Sequence, residues 1–190
     1  TRPEMTTEQI YRMIDEFVDL GTSRLSITGG EPLLRKDFFD VVQHARKRGL
    51  FVSLATNGSL VDKVIDRLSI VNSINMTLDG TESIHDAQRG KGSYSVVLKA
   101  IELLNIKKIP VYIVSVITKN NCADIPETLK LARSLNIKVL FQPVFFSEQS
   151  HANNREGYNA IKYDNQAMVE TLDYLIRLKK QGDSSIILSK

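Results

Sequence analysis

Arg24-Leu-Ser-Ile-Thr-Gly-Gly-Glu-Pro-Leu-Leu-Arg35 is the stretch on which the fold turns. Leu25 and Ile27 read as a short buried strand, which Thr28-Gly29-Gly30-Glu31-Pro32 then stops. Adjacent glycines carry no Cβ, so the chain can turn sharply and lay bare main chain against a ligand. Pro32 donates no ladder hydrogen bond and holds Glu31 extended. The strand end therefore offers backbone N–H and C=O groups plus one carboxylate, a grip for a small polar ligand. An ordinary strand-to-helix turn is the plainer alternative for a Gly-Gly pair.

Working outward, Thr6-Thr-Glu-Gln9 has capping-box spacing, and Ile10, Met13, Ile14 and Phe17 recur at helical intervals as a core face. Gly21 stops that helix. Asp37 is placed to cap a second helix with a buried stripe of Phe38, Val41, Val42 and Ala45. Its basic last turn, Arg46-Lys-Arg48, suits the helix dipole, and Gly49 ends it. Leu50–Ala55 is a strand, and Asn57-Gly58 after it resembles a hairpin turn. Leu60, Val61, Val64, Ile65 and Leu68 continue at helical spacing, so a strand-to-helix loop is the better reading. Val71–Leu78 is a further strand, ending at Asp79-Gly80. Thr81–Gly92 reads as a polar loop, and Ser93 opens a helix through Leu104.

Ile109–Thr118 is β-branched and strand-like; Ile125–Leu135 is a helix with Pro126 in its first turn; Lys138–Gln142 is a strand halted by Pro143. Ser147–Tyr163 is polar and without period, consistent with a substrate or partner loop or with disorder, and Asp164 caps a last helix. About five alternations of apolar strand and helix indicate parallel strands covered by helices, in an open doubly wound sheet or a full or partial (β/α) barrel. Both bind ligands at the C-terminal strand ends. The polar segments fall there: Thr28–Glu31, Thr56–Gly58, Thr77–Gly80, Thr118–Asn121 and Gln142.

In 190 residues, 42% hydrophobic and 25% charged, there is room for one well-buried domain. A net charge of +3 spread along the chain gives no support to nucleic-acid binding. No run reaches the roughly 18 apolar residues of a membrane span, and no secretory signal is visible. One cysteine excludes an internal disulfide framework and an iron–sulfur site built wholly from this chain. Cytoplasmic placement fits best. The chain opens on Thr1 and closes in mid-pattern at Lys190, so both ends read as cut from a longer protein.

Thr28-Gly-Gly-Glu-Pro32 resembles the segment that holds the methionine amino group of S-adenosylmethionine (SAM) in the radical SAM superfamily. The resemblance runs from about Met5 to Pro143 and is to members of the cofactor- and peptide-maturation kind. Glu4-Met-Thr-Thr-Glu8, Ala55-Thr-Asn-Gly58, Thr77-Leu-Asp-Gly80 and the His85-Asp86, Arg89-Gly90 and Gly92-Ser-Tyr94 group resemble successive family segments, as does Phe141-Gln-Pro143. It implies a partial (β/α) barrel of parallel strands with outer helices, first strand missing. It implies Gly29 and Gly30 on the SAM amino group, with Glu31 supporting the turn. Thr56 and Asn57 would face the cavity, Thr77 and Asp79 hold ribose or carboxylate, Thr118 or Ser115 lie on the ribose side, and Gln142 run along the adenine. Asp79 starting a turn, Thr77 as a plain strand residue, and Asn57 tolerating a left-handed turn are the bland alternatives.

The family's three-cysteine loop for a 4Fe-4S cluster has no counterpart here, so metal ligands are none in this chain, which by itself should be inactive. Cys122 reads as structural, and His44, His85 and His151 lack ligand spacing. In the intact parent the resemblance implies reductive cleavage of SAM by the cluster. The resulting 5′-deoxyadenosyl radical would take hydrogen from a small-molecule or peptide substrate, with a one-electron donor as partner. The competing readings are a cluster-less (β/α) scaffold that docks a partner, and a metal-free enzyme using the glycine loops for phosphate. No Lys or Arg sits in those loops to favour the last. Arg89 suits either an anionic substrate or a structural ion pair.

Overall fold

The computed structural model describes residues 4–144 and 165–187. The Ser147–Tyr163 stretch and the Asp164 cap lie outside them. Described elements alternate as the sequence suggests: α1 (Thr7–Asp19), β1 (Arg24–Ile27), α2 (Phe38–Lys47), β2 (Phe51–Ala55), α3 (Val61–Val64), β3 (Ser73–Thr77), α4 (Glu82–Arg89), α5 (Ser93–Ile106), β4 (Val111–Ile117), α6 (Ile125–Ser134), β5 (Lys138–Pro143), α7 (Asn165–Lys180) and β6 (Ile186–Ile187). They form two compact units, residues 1–76 with 99–111, and residues 77–98 with 112–190.

In the first unit β1 pairs with β2 and β2 with β3, all parallel; Leu25 lies opposite Val52, and Leu54 opposite Ile74. One face of this sheet is closed by Val52, Leu54, Ile74 and Met76, and Ile14, Phe38, Val42, Ala45, Leu68 and Leu104 complete the apolar core. Burial of each such aliphatic side chain contributes about 1.5–3 kcal/mol. In the second unit β4 pairs with β5 and β5 with β6, again parallel. Its core holds Leu78, Ile113, Ile117, Leu129, Val139, Phe141, Leu175 and Ile186.

The alternative of helices on both faces does not hold. β2 and β3 bury alternate residues only, leaving Phe51, Ser53, Ala55, Ser73, Asn75 and Thr77 half-buried. One-sided burial is what outer helices on a single face leave, and it fits the wall of a partial (β/α) barrel whose inner face is open. β1 is likewise not a buried strand: Leu25 and Ile27 are half-buried, while Arg24 and Ser26 are exposed.

Local chemistry explains most element ends. Thr6 and Gln9 form the capping box: the Gln9 N–H donates to Thr6 Oγ1 at 3.3 Å and the Thr6 N–H to Gln9 Oε1 at 2.8 Å. Phe17, expected in the core, is 44% exposed; Ile14 is the residue of that face which is buried. Asp37 sits at the N-cap of α2 but makes no capping bond. Its carboxylate instead takes Arg35 Nη2 at 2.8 Å and the Thr7 hydroxyl, and these donors hold its pKa below the usual carboxylate value, Arg35 first. The polar loop expected over Thr81–Gly92 is largely the helix α4. It lacks an apolar stripe because polar side chains, described below, fasten it. The two-residue β6 is too short for a periodic signal.

Candidate functional site

Within the first unit, the end of β1 and the end of β2 are joined by one side chain. Glu31 sits extended at φ −136°, just ahead of a 3-10 turn over Pro32–Leu34 that its carboxylate caps through the Leu33 N–H at 3.1 Å. The same carboxylate accepts the Thr56 hydroxyl, 2.9 Å from each oxygen, and the Asn57 N–H at 2.9 Å. Thr56 is buried, and its Oγ1 in turn accepts the Gly58 N–H at 3.2 Å. Glu31 is thus spent on holding two loops together and not on facing solvent.

The glycines before it stay bare. Gly29, at φ +150°, and Gly30 are exposed, and a Cβ added at either would meet nothing within 4 Å. Their main chain is therefore unobstructed where a side chain would stand. The left-handed position after β2 belongs to Gly58 (φ +84°), not to Asn57. Asn57 closes an Asx turn, its Oδ1 accepting the Ser59 N–H at 2.9 Å.

Within the second unit, Asp79 is fully buried after β3. Its Oδ1 accepts the Val116 N–H at 2.9 Å, and its Oδ2 accepts Arg89 Nε at 2.8 Å and Nη2 at 2.7 Å. Both oxygens expected to reach a ribose or carboxylate are engaged inside the protein. Such a carboxylate needs these partners, since an ionised group out of water is costly alone. The Asp79 N–H donates to His85 Nδ1 at 3.2 Å, and its carbonyl accepts Asn121 Nδ2 at 2.9 Å. Burial holds the His85 pKa below the ordinary imidazole value, against the opposing pull of Asp79. Gly80 next to it is required by space as well as by φ +140°: a Cβ there would lie 3.0 Å from Asp124 Oδ2 and 3.2 Å from Ile84 Cγ2.

The other expected site residues separate in kind. Thr77 ends β3 half-buried on the face of Asn75. Thr118 is buried in a turn, its N–H donating to Asn121 Oδ1 at 2.8 Å and its Oγ1 accepting the Asn120 N–H at 3.3 Å. Ser115 does not lie on an open side: it is fully buried on the face of Ile113 and Ile117, and its hydroxyl has no protein partner. Gln142 is exposed near the end of β5, opposite Val116. Asn121 and Asp124, the latter accepting the Thr81 N–H at 2.7 Å, are the organising residues that sequence reasoning missed. In the sequence Asn121 stands out only as part of the polar Thr118–Asn121 segment, and Asp124 only precedes the Ile125–Leu135 helix.

Among the described residues no group of three or more His, Cys, Asp or Glu is placed to hold a metal ion. Cys122, whose thiol donates to the Thr118 carbonyl at 3.1 Å, is the chain's one cysteine. An iron–sulfur cluster therefore does not fit these residues. No described helix is long and apolar enough to cross a membrane.

The chain is 34% identical over 137 residues to an AdoMet-dependent heme synthase of Methanosarcina barkeri, covering 70% of this chain and 39% of that protein. It is 34% identical over 134 residues to the mycofactocin maturase MftC of Mycobacterium tuberculosis, covering 68% of this chain and 34% of that one. It thus spans well under half the length of these relatives. A solved structure of SuiB from Streptococcus suis bound to S-adenosylmethionine superposes with a TM-score of 0.80 at 16% identity, over 99% of this chain and 44% of that one. A structure of anSMEcpe with bound AdoMet and a Kp18Cys peptide gives 0.76 at 21% identity, over 97% and 56%. These likenesses show the fold: parallel strands with outer helices, as in partial (β/α) barrels. The family model for the radical SAM superfamily matches residues 1–132, and the chain belongs to that superfamily.

Proposed function

We propose that this chain is the SAM-seating core of a radical SAM enzyme and that cysteines outside these 190 residues hold the 4Fe-4S cluster. The observation that carries the reading is the exposed Gly29–Gly30 main chain, braced by Glu31 yet unobstructed. In this reading the open main chain receives the SAM amino group, and Glu31 keeps the turn in place by gripping Thr56 and Asn57. Thr77, half-buried, and Gln142, exposed, remain the candidates for ribose and adenine. Thr118 shapes its loop through Asn121, and Asp79 acts behind Arg89. Reductive cleavage of the sulfonium would be the chemistry of a cluster held by residues elsewhere; the residues here would bind, orient and exclude. Two similar structures carry peptides, one a Kp18Cys peptide and one the precursor SuiA, so a peptide is the substrate class to test first.

Calorimetry with SAM on the wild-type chain and on Gly30→Val tests the reading. Gly30 has open space around it and needs no left-handed backbone, so the variant should fold unchanged while losing SAM affinity by at least about tenfold, or 1.4 kcal/mol. Equal affinity in the two proteins would refute the placement. Absence of SAM binding by the wild type would favour the scaffold reading, and heat with inorganic phosphate the phosphate-loop one.

A further inference from the structure

The end of β3 presents a cation where its sequence promises an anion. Asp79 is fully buried and has spent both oxygens, so the side chain that reaches solvent there is that of Arg89, 45% exposed. Arg89 is held side-on: Nε and Nη2 both point to Asp79 Oδ2. Its plane is fixed from behind, because Asp79 is itself pinned by Val116, by His85 and by Asn121, whose Nδ2 also reaches the Val116 carbonyl at 2.7 Å. The other nearby carboxylate is not available to Arg89. Asp86 accepts the Gly92 N–H at 2.6 Å, the Tyr94 N–H at 2.8 Å and the Ser93 hydroxyl at 3.2 Å, at the start of α5. Among the described residues Nη1 has no partner. A guanidinium offers five N–H donors in a rigid fork, and the side-on bond uses one edge while the Nη1–Nη2 edge stays open. That edge matches a carboxylate through two parallel hydrogen bonds.

We propose that Arg89 is an anion-recognition residue that takes a ligand carboxylate on its Nη1–Nη2 edge while Asp79, as a positioning residue, holds it side-on. The carboxylate is that of SAM or that of a substrate; only this choice rests on the reading of the chain as a SAM-seating core.

The test is NMR on the chain labelled with 15N-arginine, following the Arg89 Nε–H signal, assigned by its loss in Arg89→Lys. Succinate should move this signal and succinamide should not. If SAM moves it and decarboxylated SAM does not, the carboxylate is SAM's own. If succinate moves it with SAM already bound, the carboxylate is the substrate's. Arg89→Gln should weaken the responsible ligand by about tenfold, or 1.4 kcal/mol. Arg89→Lys, which keeps the charge and loses the fork, should weaken it too, and serves if the Gln variant fails to fold. Gly30→Val should leave the succinate response intact, which separates failure of this proposal from failure of SAM seating. A signal that neither succinate nor SAM moves, or unchanged affinity in both variants, would overturn the proposal and leave a purely structural ion pair.

Discussion

Replacing Glu31 by Gln perturbs the brace with the least change of shape. The carboxylate serves three donors: the Thr56 hydroxyl at 2.9 Å from either oxygen, the Asn57 N–H at 2.9 Å on one and the Leu33 N–H at 3.1 Å on the other. Each oxygen therefore faces a backbone N–H. Whichever one becomes the amide NH2 meets a donor head-on, so one bond is lost in either orientation and the others lose their charge. A hydrogen bond to a charged acceptor contributes about 1.5–3 kcal/mol net. Partial exposure of Glu31 reduces this to about 1–2 kcal/mol. In a chain of 190 residues each kcal/mol moves Tm by about 2–4 °C, so a fall of about 2–8 °C is expected. Circular dichroism melting gives the shift, and amide exchange should show Leu33 and Asn57 opening faster, with SAM affinity reduced. A Tm within about 1 °C of wild type, with unchanged exchange at both amides, would refute the brace.

Two further outcomes follow from the titrating groups. Burial alone would raise the pKa of Asp183, but the hydroxyl and N–H of Ser185 and the Arg133 guanidinium outweigh it and bring the value down from 3.8 to about 2. Its contribution to stability is present above pH 3.8 and is lost as pH falls towards 2. Asp183→Asn should flatten the acid limb of a urea-denaturation series there, and an unchanged slope would count against the assignment. His85 accepts the Asp79 N–H on Nδ1, so its proton sits on Nε2 and burial keeps it neutral below the ordinary imidazole pKa of 6.5. A long-range 15N–1H spectrum should show the Nε2–H tautomer persisting below that pH. Half-protonation at or above pH 6.5 would contradict the buried network.

What the sequence discloses and what it hides divide along physical lines. Capping by Thr6 and Gln9, the stop at Pro32 and the parallel alternation of elements are local or periodic effects, and they are legible. The Thr-Gly-Gly-Glu-Pro turn is legible too, because two glycines and a proline restrict the backbone wherever they occur. The partners of Glu31 are not: Thr56 and Asn57 lie 25 and 26 positions on, and nothing at either end marks the pairing. Helix α4 escapes notice for the same reason, since it is fastened through His85 and Arg89 to Asp79 and not by an apolar stripe. Ser115 shows a different limit. Strand periodicity gives it one of two faces, and only packing reveals that it shares the one with Ile113 and Ile117.

A single carboxylate shared by two loops ties positions 31 and 56 into one heritable unit. Once Glu31 is gone, the Thr56 hydroxyl keeps only the Gly58 N–H as a partner, so Glu31→Gln and Thr56→Val together should cost less than their separate sums, by roughly 0.5–3 kcal/mol. Neutral drift at either position is then conditional on the other, and the two loops change together or not at all.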